Sequence, residues 1–164
     1  NGTITDGATN KISVVMNSTG RIQTLSGNNT YTGDTTVSNG TLILADNAQL
    51  RFKIGATGVN NQISGNGTLT LDGDFNFDLS GAGTVGSWTI VTVNTLTETF
   101  SSTFSVVGFT DAGSDTWTKV NGTSTYTFSE ATGVLTAAVP EPTTWALLTF
   151  SLLVTVTLRR RRLV

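Results

Sequence analysis

Six residues at Asn39–Leu44, NGTLIL, return as NGTLTL at Asn66–Leu71, 27 positions further on. A looser copy, TGRIQTL at Thr19, places Gly20 twenty positions before Gly40, and TGVLTA at Thr132 is looser again. Each has a glycine and then apolar residues alternating with polar ones. A glycine turn followed by a short strand every 20 to 27 residues fits stacked coils of a solenoid. One coil cannot bury its own apolar face. Leu42 and Leu44 are therefore expected to stack on Leu69 and Leu71, with Ile22 and Leu25 beneath them, and Thr and Asn of neighbouring coils can form hydrogen-bonded ladders.

The composition agrees with an all-β chain. Charged residues make up 12% of the 164, against about 25% in an ordinary soluble domain. Thr, Ser, Asn and Gly fill the difference, and they favour strands and turns. Residues 1–139 carry five basic side chains against ten acidic ones, while residues 140–164 carry Arg159 to Arg162 against Glu141. The acidic body argues against nucleic-acid binding. There is no Cys and no His, which excludes disulfides and removes the commonest general base and metal ligand. A chain of this kind is not expected to be an enzyme or to hold a cofactor. The start, NGTITDGATNKISVVMNSTG, lacks the basic and apolar segments of an export signal, so a mature form or a C-terminal part of a longer protein is expected.

From Leu69 onward the alternation sharpens. Leu69, Leu71, Phe75, Phe77 and Leu79 are odd-numbered, with Thr70, Asp72, Asp74, Asn76 and Asp78 between them. Period two predicts a half-buried strand pair turning near Gly73. SWTIVTV, FSVVGF, DTWTKV, STYTFSE and GVLTAAV follow as short strands, with Asn121-Gly122 as a hairpin signal. These strands are expected to fold back antiparallel and close the C-terminal end of the solenoid, because an open coil exposes strand edges.

The stretch Ser26–Leu50 resembles the passenger-associated repeat of autotransporters, through Gly27, Tyr31, Gly33, Thr35, Val37, Gly40, Leu42 and Leu44. That resemblance implies a right-handed parallel β-helix on an exported surface protein.

Thr143–Leu158 contains no charge, and Arg159, Arg160, Arg161 and Arg162 follow it. Pro142 suits a first helical turn. Sixteen helical residues span roughly 24 Å, somewhat less than the ~30 Å hydrocarbon core, and snorkelling arginines make up the difference. Trp145 suits the opposite interface, and the arginine cluster predicts a cytoplasmic C-terminus. The alternative is a buried strand, unusually long at this length. One transmembrane helix is the expectation, giving a β-rich region 1–138 and a sorting segment 139–164.

VPEP, an apolar span and a terminal arginine cluster together resemble the PEP-CTERM sorting signal of Gram-negative bacteria. The resemblance implies export, transient anchoring in the inner membrane, and processing by an exosortase-type enzyme, followed by release to the cell surface or beyond. It makes Pro140, Glu141 and Pro142 a recognition motif, read as substrate and not as catalyst. Prolines keep such a segment extended, and the alternative is a plain linker.

Asp72, Asp74, Asn76 and Asp78 share the two-residue spacing of a calcium loop, but Phe77 stands where such a loop needs Gly, and Gly83 where it needs Glu. A solvated strand face explains the same spacing. Glu98, Asp111 and Asp115 are carboxylates for glycoside chemistry only if the fold brings a pair together across a cleft. Trp88, Trp117, Tyr31 and Tyr126 are core residues or sugar-stacking platforms. The role expected is that of a structural or adhesive protein contacting extracellular polysaccharide. The alternative is the C-terminal part of a carbohydrate-active β-helix enzyme with its catalytic region upstream.

Overall fold

The structure, a computed structural model, describes residues 2–93 and 95–140. The repeat builds a β-solenoid of about three turns. One parallel sheet takes β1 (Val14–Leu25), β3 (Thr35–Leu44), β6 (Thr68–Leu71) and β9 (Thr97–Phe100), with the short β5 (Ile63–Gly65) also beside β3. A second takes β2 (Asn28–Asn29), β4 (Gln49–Lys53) and β7 (Asp74–Asp78). A bridge from Phe75 to Val106 carries that second stack one coil further.

The register explains the repeat. Leu42 lies beside Leu69 and Leu44 beside Leu71, with Leu25 beside Leu44 on the other side. All five are buried. Leu50 stacks on Phe75 and Phe52 on Phe77. The glycines mark a corner. β3 turns at Gly40, whose φ of 82° lies in the left-handed region that side chains resist. A Cβ on Gly67, the equivalent glycine one coil on, would sit 2.7 Å from Val37 Cγ1 and 2.9 Å from the Gly40 carbonyl oxygen.

Three expectations are corrected. Ile22 pairs with Thr41, not with a leucine column, and is two-thirds exposed. The bulged bend at Asn17–Ile22 shifts the register, so only Leu25 of this strand's second half turns inward. β6 and β7 are not paired across Gly73. They are successive faces of one coil, and each bonds to the strand above it. The corner forms because Asp72 and Gly73 both donate to the Leu44 carbonyl. TGVLTA is not a coil but lies in an antiparallel strand, β13 (Val134–Ala138).

That strand belongs to a separate sheet, ordered β10 (Thr110–Asp111), β11 (Thr116–Asn121), β12 (Ser124–Ser129), β13, β8 (Gly86–Thr89). Every pairing in it is antiparallel. The hairpin between β11 and β12 turns at Gly122, with φ 62°. Phe128 of β12 presses on Phe75, Phe77 and Phe100, with ring centroids 5.8, 5.5 and 6.2 Å away. Trp88 is fully buried and its indole N–H donates to the Ala56 carbonyl at 2.9 Å. The sheet thus closes the solenoid as the sequence predicts, except that FSVVGF is not one of its strands: Val106 bridges Phe75 in parallel, so that stretch extends the second stack instead. At the opposite end residues 2–13 tie over the first coil. Ile4 donates to Asn29 Oδ1, and Asp6 accepts from the Thr32 amide and hydroxyl.

Candidate functional site

β13 runs between β12 and β8 and ends at Ala138, so the closing sheet hands the chain directly to Val139 and Pro140, both exposed. Glu141 and Pro142 lie outside the described residues. So do Thr143, Trp145 and Leu158 of the expected span and Arg159, Arg160, Arg161 and Arg162. Among the described residues no helix is long and apolar enough to cross a membrane.

The four residues with calcium-like spacing are not gathered around one point. Asp74 accepts from the Ser105 hydroxyl at 2.6 Å. Asp78 pairs with Arg51 and accepts from the Ser80 amide. Asn76 stacks beside Arg51 in the parallel ladder, and Asp72 occupies the corner. Among the described residues no cluster of acidic side chains is arranged to hold a metal ion.

The other carboxylates do converge. Asp111, Asp115 and Glu130 line a bay of about 340 Å³ with Trp117 and Phe104. Glu98, Asp115 and Glu130 line an adjoining one of about 230 Å³. Glu98 occupies the register position that Leu42 and Leu69 hold in the coils above. The apolar column therefore ends on a carboxylate, at the coil where the bay opens. Burial pushes the Glu130 carboxyl above its ordinary value. A hydrogen bond from the Trp117 indole opposes that shift, and the Asp115 and Asp111 charges add to it. Glu130 was not legible as a site residue: it follows an ordinary strand, and only the antiparallel register brings it to Trp117.

A second concavity, of about 410 Å³, has Lys11, Asp34, Lys53 and Asn60 among its walls. Asn61 fixes one wall: buried, it accepts from the Lys53 amide at 2.8 Å and donates to the Arg51 carbonyl at 3.0 Å. Asp34 accepts from the Gln62 amide at 3.0 Å. The groove offers amide, hydroxyl, ammonium and carboxylate groups, a set suited to hydroxylated ligands. The aromatics divide. Trp88, Tyr31 and Tyr126 are core residues, and Trp117 stands at the acidic bay.

Residues 22–44 match the family model of the passenger-associated-transport-repeat. Residues 138–162 match that of the PEP-CTERM protein-sorting motif. No curated protein and no solved structure matches the chain. The first match runs from Ile22 near the end of β1 through β2 to the end of β3, one coil of the solenoid. The second begins on the last residue of β13. Together they define a β-solenoid chain with a sorting signal, which fits an exported surface protein, and the sorting motif implies processing by an exosortase.

Proposed function

We propose that this is a structural or adhesive protein of the bacterial cell surface or extracellular matrix, in a Gram-negative host. Its right-handed solenoid is displayed outside. Residues 143–158 hold it briefly in the inner membrane as a helix, with Arg159–Arg162 on the cytoplasmic side. An exosortase-type enzyme recognises Pro140, Glu141 and Pro142 and removes the tail. Extracellular polysaccharide contacts the groove at Lys11, Asp34, Lys53 and Asn60. No cofactor and no nucleic acid takes part.

The observation that supports this reading most is the junction. A closed, low-charge β-solenoid passes without an intervening domain into a sorting motif that starts at residue 138. Expression in a host with an exosortase tests it. The surface fraction should carry a C-terminus lacking Arg159–Arg162, read by mass spectrometry of the intact protein, and should bind matrix polysaccharide. Surface protein ending in Val164 would overturn the processing step.

One observation favours a second reading, a carbohydrate-active enzyme. The acidic bay holds a carboxyl with a raised pKa beside further carboxylates and a tryptophan, the ingredients of a general acid at a glycosidic oxygen. Release of reducing ends from matrix polysaccharide, lost in Glu130→Gln, would carry that reading over the first.

A further inference from the structure

The outer face of the sheet formed by β1, β3, β6 and β9 presents two columns that the leucine register leaves facing solvent. One runs Ile22, Thr41, Thr68, Thr97, and the other Thr24, Ile43, Thr70, Thr99. Six of these eight positions are threonine, and none is charged or aromatic. The alternate residues Leu42, Leu44, Leu69 and Leu71 are buried, so the array is the outward half of each strand. Among the described residues the hydroxyls of Thr92 and Thr136 are spent on backbone carbonyls, whereas none of these six hydroxyls has a protein partner.

We propose that this face binds ice. Successive coils in a parallel stack repeat at ~4.8 Å, and alternate residues of a strand at ~6.6 Å. A two-dimensional net of hydroxyls and methyls with those periods is close to the oxygen net on the prism face of hexagonal ice. Threonine supplies both required groups: the methyl orders first-shell water around itself, and the hydroxyl anchors that water by hydrogen bonding. Its β-branch leaves few χ1 choices, so the net is set before the lattice arrives and little side-chain freedom is lost on contact. Ile22 and Ile43 keep the methyl surface where the hydroxyl is missing. The absence of charge matters, because an ionic group would hold its own hydration shell against the lattice. The absence of aromatic rings argues against a sugar chain as occupant of this face. The proposal does not rest on the polysaccharide reading, which concerns a different surface.

Ice-affinity partition tests it. The full 164-residue chain is kept in mild detergent while polycrystalline ice grows slowly through the solution. Enrichment in the ice relative to a dissolved inert protein is expected. Thr70→Tyr and Thr97→Tyr should each abolish that enrichment, and Asn76→Tyr, in the other parallel sheet, should keep it. Thr97 is exposed on the outermost strand, so Thr97→Tyr carries the test if Thr70→Tyr loses the β-sheet circular dichroism. Exclusion of the unmodified chain from ice would overturn the proposal, as would equal enrichment of Thr97→Tyr. Retention on crystalline cellulose or chitin that Thr97→Tyr abolishes would assign the face to polysaccharide instead. A change of oligomeric state in Thr97→Tyr would assign it to a second copy of the chain.

Discussion

The indole N–H of Trp117 donates to Glu130 Oε1 at 2.6 Å, joining β11 to the turn after β12 at the acidic bay. Glu130 titrates above the ordinary glutamate range, because burial costs the charged form more than the indole returns, and Asp115 and Asp111 repel a further negative charge. The folded chain therefore keeps this proton at pH values where the unfolded chain has lost it. This group's contribution to stability is full below the unfolded glutamate pKa and is lost as pH rises through the higher folded value. The Trp117 indole proton resonance should titrate with that higher pKa and become flat in Glu130→Gln. A resonance that titrates unchanged in Glu130→Gln would remove the coupling.

Asp78 behaves in the opposite sense. Hydrogen bonding from Ser80, and then from the Arg51 guanidinium on the next coil, lowers its pKa to about 2. Its contribution is present above the ordinary aspartate value and is lost as pH falls toward 2. Asp78→Asn should flatten the acid limb of the stability curve. At neutral pH it should cost no more than about 1 kcal/mol, since the pair is partly exposed. Urea midpoints measured from pH 2 to pH 7 check both statements, and an unchanged acid limb counts against them.

The stacking of Leu42 and Leu44 on Leu69 and Leu71 was legible because a glycine corner followed by alternating apolar residues repeats at one-coil spacing. The Asn121-Gly122 hairpin was legible because its turn chemistry is local. The outward position of Ile22 was not, since the bulge in β1 inverts which residues face inward and leaves no mark in the pattern. Period two likewise gave the faces of Leu69–Phe77 correctly but not the partners. Alternation reports which side is buried, while a solenoid corner and a hairpin turn both look like a glycine between two strands. The acidic bay stayed hidden for a third reason: Glu98 lies on β9, Asp115 just before β11 and Glu130 in the turn after β12, and only the closure of the end sheet brings them together.

Corner glycines should differ from turn glycines in a graded way. Gly122 has φ 62° and open space where a Cβ would go. Gly122→Ala pays only the left-handed backbone strain, about 1 kcal/mol. Gly40 has φ 82°, and a Cβ there would lie 2.4 Å from the Ser18 carbonyl oxygen and 2.8 Å from that of Arg21. Gly40→Ala should therefore exceed Gly122→Ala by at least about 1 kcal/mol, because the coil above must move. Equilibrium urea unfolding of the two variants measures the difference. Equal costs would mean that the corner yields and that the repeat does not depend on this glycine.

Phe128 is the side chain through which the closing sheet holds the solenoid. Fully buried, it meets Phe75, Phe77, Phe100 and Phe104. Truncation to alanine removes the only ring that β12 sends into this cluster apart from Tyr126, which packs on Trp88. Phe128→Ala should cost about 3–5 kcal/mol, as for other large core truncations. The loss should fall unevenly. Leu69 and Leu71 keep their partners on both neighbouring coils, whereas Tyr126 and Leu135 belong to a sheet that has lost its main apolar anchor. Native-state hydrogen exchange separates the two regions. In the unmodified chain the amides of Leu69, Leu71, Tyr126 and Leu135 should open with one common free energy. In Phe128→Ala the Tyr126 and Leu135 amides should open first, at lower free energy, while those of Leu69 and Leu71 stay protected. Equal loss at all four would show a single cooperative unit whose coils depend on the closing sheet as much as it depends on them.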